Sequence, residues 1–526
     1  MQLTTIPLDK TGKFSKLILD YINNPDGFSE FVAERVTLKN FKNKLKEKKF
    51  SKEKRDLLVK QLIDQYKFAG IEIPGNVSLL KNENTYTVTT GHQLCLLGGP
   101  QYFIHKIIST IKLSRQLKKA FPENNFVPVF WLASEDHDFD EINDVKFFKN
   151  NLKIDKDYAG PVGRLPADIF STILQELNEI LGDSKNESEI IDLFTRAYSS
   201  DSLSIATSKW VNELFKNFGL VILDGDDIEF KRSFIPVLRD ELVNRNSIDA
   251  ILKTSGQLNE LGYNSQVSPR EINLFYIENN IRERIVFQKD KYLVLNTELS
   301  FSEEEILDLL ESNPDRFSPN VVLRPVYQEY ILPNLAYVGG PGEIAYWLQL
   351  KLNFDRLRIE YPLLIIRDTF LLLNAKQVSN FQNLGFVLED AFEKEHILIK
   401  DFLKLNSKED IDFEKEEIIL NELKLVLLNK VKKVDDSLSG MIQAEMTKLN
   451  KFFDKLESRI IKAEKNRQEV SVNKILKFRN TILPNDVLVE RHESFIPNYL
   501  KYGSEYFDWL LEYSNVFDPQ LKVLVK

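Results

Sequence analysis

The chain has 526 residues, 43% of them hydrophobic, enough to bury a large core in two or three structural parts. Its formal net charge of -9 argues against a nucleic-acid partner, because phosphate binding needs a basic face. No apolar run reaches the roughly 18 residues that span a bilayer, and Met1 to Lys10 lacks the basic and apolar regions of a signal peptide, so a cytoplasmic location is expected, away from any membrane.

Residues 1–80 read as a helical region with loops, ending at the turn Pro74-Gly75-Asn76. Between Lys39 and Lys60 ten Lys/Arg stand against three acids. With only Phe41 and Phe50 for stacking, this stretch reads as a solvated helix face.

From 81 to 375 short apolar strands alternate with helices, the pattern of a parallel sheet. Thr85 to Thr90 alternates β-branched and aromatic residues, then breaks at Gly91-His92-Gln93 and Gly98-Gly99-Pro100 before the helix-like Tyr102 to Leu117. Phe126 to Ala133 stops at Ser134-Glu135-Asp136-His137-Asp138-Phe139-Asp140. Leu220 to Leu223 stops at Asp224-Gly225-Asp226-Asp227, and Leu335 to Val338 stops at Gly339-Gly340-Pro341-Gly342-Glu343. A last strand is expected near Leu363 to Asp368. Alternating runs between 268 and 298, with Asn279-Asn280 as a hairpin turn, form an antiparallel excursion. The fold class is α/β: a Rossmann-like, mainly parallel core with a small antiparallel insertion, its polar strand ends on one rim.

Over 376–470 glycine and proline nearly vanish. Val431, Val434, Leu438, Ile442, Met446, Leu449, Phe453, Leu456, Ile460 and Ala463 follow spacings of three and four, an apolar seam on a long helix. Phe381 to Leu405 and Ile418 to Val426 offer it an antiparallel partner across Asn406 to Asp410. A coiled-coil arm that also makes a homodimer is expected, with 471–526 folding back on the core.

The chemistry concentrates at the strand ends. Glu135, Asp136, Asp138 and Asp140 would repel one another unless a cation, a proton or a basic partner sat among them. His137, beside carboxylates that raise its pKa, suits an acid, a base or a ligand. A capping turn before the next helix is the plain alternative. The turns at Thr90-Gly91-His92-Gln93 and Gly339 to Glu343 let a ligand approach backbone, with a helix start facing an anion. Glu343 opposes an anion there and suits an amine. Arg324 and Lys106 supply positive charge, and arginine grips a carboxylate in two-pronged fashion. The single cysteine, Cys95, reads as a small buried apolar residue. His396 and His492 read as structural.

These blocks resemble the cysteine-adding enzyme family of bacillithiol biosynthesis, BshC. The match rests on Thr90-Gly91-His92-Gln93 with Gly99-Pro100 and Lys106, and on Pro128-Val129-Phe130-Trp131 running into Glu135 to Asn143. It continues through Ser318 to Val322, Arg324-Pro325, Gln328-Glu329, Pro333, Gly340 to Trp347 and Glu490-Arg491, departing at His92, Gln101 and His105. The resemblance implies an amide-forming ligase that adds L-cysteine to glucosaminyl-malate. Because a free carboxylate is a poor acyl donor, an activated cysteine and hence ATP are expected, although no Walker motif is present. Glu135, Asp136, His137 and Asp138 are then the catalytic candidates, and no metal ligand set is assigned. Thr90, Gly91, His92, Gln93, Lys106, Asn143, Arg324, Gly339, Gly340, Pro341, Gly342 and Glu343 are the substrate or nucleotide candidates. A metal-dependent hydrolase and an inert coiled-coil scaffold are the alternatives.

Overall fold

The structure is a computed structural model and describes residues 1–32, 36–182, 184–407 and 413–526. At its centre lie five strands: β1 (Thr85–His92), β2 (Asn125–Leu132), β3 (Val221–Asp224), β4 (Asn334–Gly339) and β5 (Leu363–Ile366). All pairings are parallel, in the spatial order β5-β4-β1-β2-β3. Strand order reverses between β1 and β4, which puts the ligand crevice of an open α/β sheet beyond their carboxyl ends.

The sequence of β1 helps to choose that neighbour. Every residue of the strand is buried, yet half of it is threonine. Thr87 and Thr89 donate to Asn334 Oδ1 at 3.1 and 2.9 Å, and Thr90 donates to the Val338 carbonyl at 2.7 Å. A buried hydroxyl without a partner costs about 1–3 kcal/mol, so these three bonds favour β4 beside β1 over an apolar strand. The helix Tyr102–Ala120 packs across the back of β1 and β2. Between β3 and β4 the chain builds a five-stranded antiparallel sheet that includes Leu274–Glu278, Ile281–Gln288 and Lys291–Val294. Asn279, at φ 52°, makes its first hairpin turn as expected.

Three expectations need correction. The N-terminal region is not wholly helical: Gln2–Pro7 is a strand, antiparallel to Gln520–Val525, which runs parallel to Thr369–Leu373. Ile6 is its one buried residue, too little pattern to register in the sequence. The basic stretch is not simply solvated either. Lys44 and Lys54 each donate to a carbonyl at 3.0 Å, and Arg55 donates to the carbonyls of Leu80, Glu83 and Thr85.

The arm is shorter than 376–470, and its apolar seam does not lie on one long helix. Val378, Phe381, Phe402 and Leu403 sit in a second core with Ile6, Phe478 and Val523. The arm helices are Glu414–Val434 and Ser439–Arg467, which pack on each other. The seam breaks at 435–438, where the Asp435 side chain accepts from Ser437 N and stops the helix. Residues 408–410 of the turn expected after Asn406 lie outside the described residues. Toward the C-terminus, Ile496–Tyr502 and Glu505–Tyr513 pack on the core helices Lys185–Tyr198 and Tyr102–Ala120 respectively.

Ile6→Ala removes the one fully buried side chain of the N-terminal strand and should cost about 2–4 kcal/mol. Scanning calorimetry should show a lower Tm; an unchanged melting profile would mean that the strand adds nothing to stability.

Candidate active site

A cleft of about 690 Å³ opens at the carboxyl ends of the central strands, and the antiparallel insertion supplies its opposite wall through Phe275, Arg282 and Arg284. Gly91, His92, Gln93, Lys106, Glu135, Asp136, His137, Arg324, Gly340, Gly342 and Glu343 line it. The other candidates stand back from it. Thr90 spends its hydroxyl on β4, and Gly339 lies within that strand. Asn143 is buried and donates to Asp140 Oδ1 at 3.2 Å. Exposed Asp138 accepts from Glu141 N at 3.3 Å, closing a turn that leads to the strand Asp144–Phe147 and not to a helix. Pro341 opens the helix Pro341–Trp347 without facing the cleft.

The end of β1 and the glycine turn after β4 are tied together by an ion pair between buried Lys106 and half-buried Glu343. Lys106 Nζ lies 2.5 Å from Glu343 Oε2 and donates to the Gly91 carbonyl at 2.5 Å. Glu343 also accepts from Tyr337 Oη and, at 2.8 Å, from Gly340 N. Burial alone would raise the Glu343 carboxyl; Lys106 and the other donors reverse that and hold it below its ordinary value. Burial pushes the Lys106 ammonium down, with Glu343 opposing. Glu343 therefore does take an amine, but the amine is Lys106. Its capping of Gly340 N also uses the backbone donor that was expected to face an anion.

Behind this clamp His92 packs between Tyr102 and Phe103, with ring centroids 5.2 and 4.9 Å away. Burial, then Lys106, pushes its imidazole down to about 3, so the ring is neutral. Burial pushes the Cys95 thiol up to about 12, which makes it a packing residue and not a nucleophile.

Of the acids after β2, Glu135 is neutralised by a lysine, whereas Asp136 is held by uncharged donors. Glu135 Oε1 pairs with Lys231 Nζ at 2.5 Å. Gln93 Nε2 bridges Asp136 Oδ2 and Glu141 Oε2 at 2.9 and 2.6 Å, and Asp136 Oδ1 accepts from His137 N. Arg282 Nη1 reaches His137 Nδ1 at 2.7 Å while its guanidinium lies 4.0 Å over the Phe275 ring. Because arginine only donates, His137 Nδ1 must accept, and the ring proton is on Nε2. Burial and then Arg282 lower the pKa of this imidazole, outweighing Asp136 and Asp138, which push it up. Among the described residues no group of three or more His, Cys, Asp or Glu is arranged to hold a metal ion. The acids after β3 face elsewhere, into a separate cavity of about 500 Å³. There burial and Asp226 push the Asp224 carboxyl up to about 7.

Sequence reasoning missed the cationic wall. Besides Lys106 and Arg324, the cleft is lined by Arg270, Arg282, Arg284, Arg367 and Arg491, against Glu135, Asp136, Glu141 and Glu343. An acidic chain thus focuses positive potential at one place. Arg367 and Arg491 come from the end of β5 and from the turn Val489–Arg491, far apart in sequence. The block Glu490-Arg491 was the one available signal.

The family model described as "Bacillithiol biosynthesis BshC, N-terminal Rossmann-like domain" matches residues 1–368, and its "C-terminal coiled-coil domain" matches 370–525. The chain belongs to the BshC family. Relatives described as "Putative cysteine ligase BshC" include one from Flavobacterium psychrophilum, 43% identical over 96% of both chains. Others come from Flavobacterium johnsoniae, 42% identical over 97% of both, and Chlorobaculum tepidum, 27% identical over 98% of this chain and 97% of its own. The boundary between the two BshC parts falls at Arg367-Asp368-Thr369, where β5 leaves the central sheet.

Lys106→Met strands the Glu343 carboxylate and should destabilise the protein by about 3 kcal/mol, with Glu343→Gln in the same chain restoring most of the loss. The pH dependence has a definite sign. Since the folded Glu343 carboxyl titrates below its ordinary 4.5, its contribution is present above pH 4.5 and lost as the pH falls through the lower folded value. Thermal melts of the wild type between pH 3 and 7 should show this loss, and a melting profile in Lys106→Met that is just as steep would refute the clamp.

Proposed function

We propose that this chain is a cysteine ligase that forms an amide between the carboxyl group of L-cysteine and the amine of glucosaminyl-malate, the last step of bacillithiol biosynthesis. The observation that carries this reading is the mixed charge of the cleft. Asp136 and Glu141, joined by Gln93, share its lining with six arginines. The acceptor carries matching groups: an amine to be acylated and two carboxylates.

Asp136 is the residue we assign to take the proton from the attacking amine. His137 Nδ1 is committed to Arg282, so the imidazole acts as a donor through Nε2, and Glu135 is neutralised by Lys231. Gln93 holds the Asp136 carboxylate in place. The cysteine carboxylate must arrive activated, and ATP is the donor our reading requires, supplying an adenylate or phosphate leaving group. Arg324 and the open backbone at Gly342, where a Cβ would meet nothing within 4 Å, fit a phosphate-bearing ligand. The substrates are small molecules, and the lone, buried Cys95 agrees with a reducing cytoplasm. No helix among the described residues is long and apolar enough to cross a membrane.

Incubating the protein with cysteine, glucosaminyl-malate and ATP should give a conjugate detectable by mass spectrometry. Asp136→Asn should lower its rate about 100-fold or more, the scale of a lost proton acceptor, and His137→Ala should also cut it, both at unchanged Tm. Near-normal turnover in both variants would remove the assignment.

The arm is the part we assign to homodimer formation. Ile419, Leu425, Val426 and Phe452 stand more than half exposed on its two helices, a patch that a second copy of the arm would cover. Light scattering should report a dimer for the wild type and a monomer for the double variant Leu425→Glu/Phe452→Glu. A monomeric wild type, or a dimer that survives both charges, would exclude the arm from assembly.

A further inference from the structure

One donor in the cleft has no acceptor among the described residues. Arg367 is 2% exposed, and both Nη atoms are engaged: Nη2 donates to Glu490 Oε1 at 2.7 Å, and Nη1 donates to Glu490 Oε2 at 3.0 Å and to the Asp368 carbonyl at 2.8 Å. Its Nε is buried without a partner. That atom lies 4.0 Å from where a Cβ on Gly340 would stand, at the lip of the cleft. An orphaned buried donor on a cation is costly, so its retention beside a ligand cleft points to an acceptor brought by the ligand.

The surroundings fit an anion with two planar oxygens. Arg491, exposed, places its guanidinium 5.4 Å from the Tyr102 ring, and Arg367 places its own 5.3 Å from the same ring. Lys106 is neutralised by Glu343, and Glu490 already balances one charge of this corner, which leaves a net positive charge. Behind Arg367, His105 Nδ1 contacts Glu490 Oε2 at 2.8 Å. Burial would raise the Glu490 carboxyl, but Arg367 and His105 hold it at about 2, so Glu490 stays ionised and its two-pronged grip fixes the guanidinium plane.

We propose that Arg367 and Arg491, beside Tyr102, bind a carboxylate of the malyl group of the acceptor, and that Glu490, braced by His105, is the positioning residue that aims Arg367 Nε into the cleft. This rests on the ligase reading for the identity of the acceptor, but carboxylate binding can be measured without any turnover. Calorimetry on the full chain would use L-malate and its neutral dimethyl ester as probes. L-malate should bind the wild type at least tenfold more tightly than the ester, and Arg491→Gln and Arg367→Lys should each weaken malate tenfold or more. Arg491 is exposed, so its variant decides the matter if Arg367→Lys fails to fold. Glu490→Gln should raise KM for glucosaminyl-malate several-fold more than it lowers kcat, a split that loss of fold would not produce. Equal binding of acid and ester, no binding of malate, or an unchanged malate Kd in Arg491→Gln would overturn the proposal. Malate binding that depends on these arginines in a protein that makes no conjugate would instead count against the ligase reading alone.

Discussion

Charge taken out of water must be paired, and in this protein the pairing decides where the backbone goes. The Lys106–Glu343 ion pair joins the end of β1 to the helix start after β4, with Gly91 and Gly340 held by the same two side chains. Either charge alone would be strongly destabilising in that place, and both together fix the spacing of the crevice at the point where strand order reverses. The cleft is therefore a consequence of electrostatic necessity as much as of strand topology.

The same logic joins the two parts of the chain. Consecutive residues of opposite charge, Arg367 and Asp368, reach in different directions for C-terminal partners: Arg367 takes Glu490, and Asp368 takes Lys522 at 2.5 Å. The Gln101 backbone N–H also donates to the Glu493 carbonyl at 2.8 Å, ahead of the helix that carries Lys106. The C-terminal segment is thus part of the wall of the cleft and not an appendage to a finished domain.

What could be read from the sequence follows physical range. The central strands were legible because each is a short apolar run that ends abruptly in glycine or acid, and the antiparallel hairpin because Asn279-Asn280 has few other uses. The arm was legible as helix, but its break was not: Val431, Val434, Leu438 and Ile442 keep helical spacing straight through 435–438, and only the Asp435 cap stops the helix. In the cleft the glycine turns and the acidic segment announced themselves, whereas Arg282 and Arg367 did not. A single arginine in a strand or just after one has no local pattern, and its meaning comes from His137 and Glu490, 145 and 123 residues away. His137 was misjudged for the same reason, since its adjacent acids were visible and the distant guanidinium was not.

The short strand at residues 2–7 has a further consequence for biogenesis. It leaves the ribosome well before its hydrogen-bonding partner at 520–525 has been made. Until then its unpaired backbone edge is a template for other extended segments, the hazard that open strands carry in partly made chains. Closure of the second core, to which Ile6 and Val523 both belong, must wait for that partner.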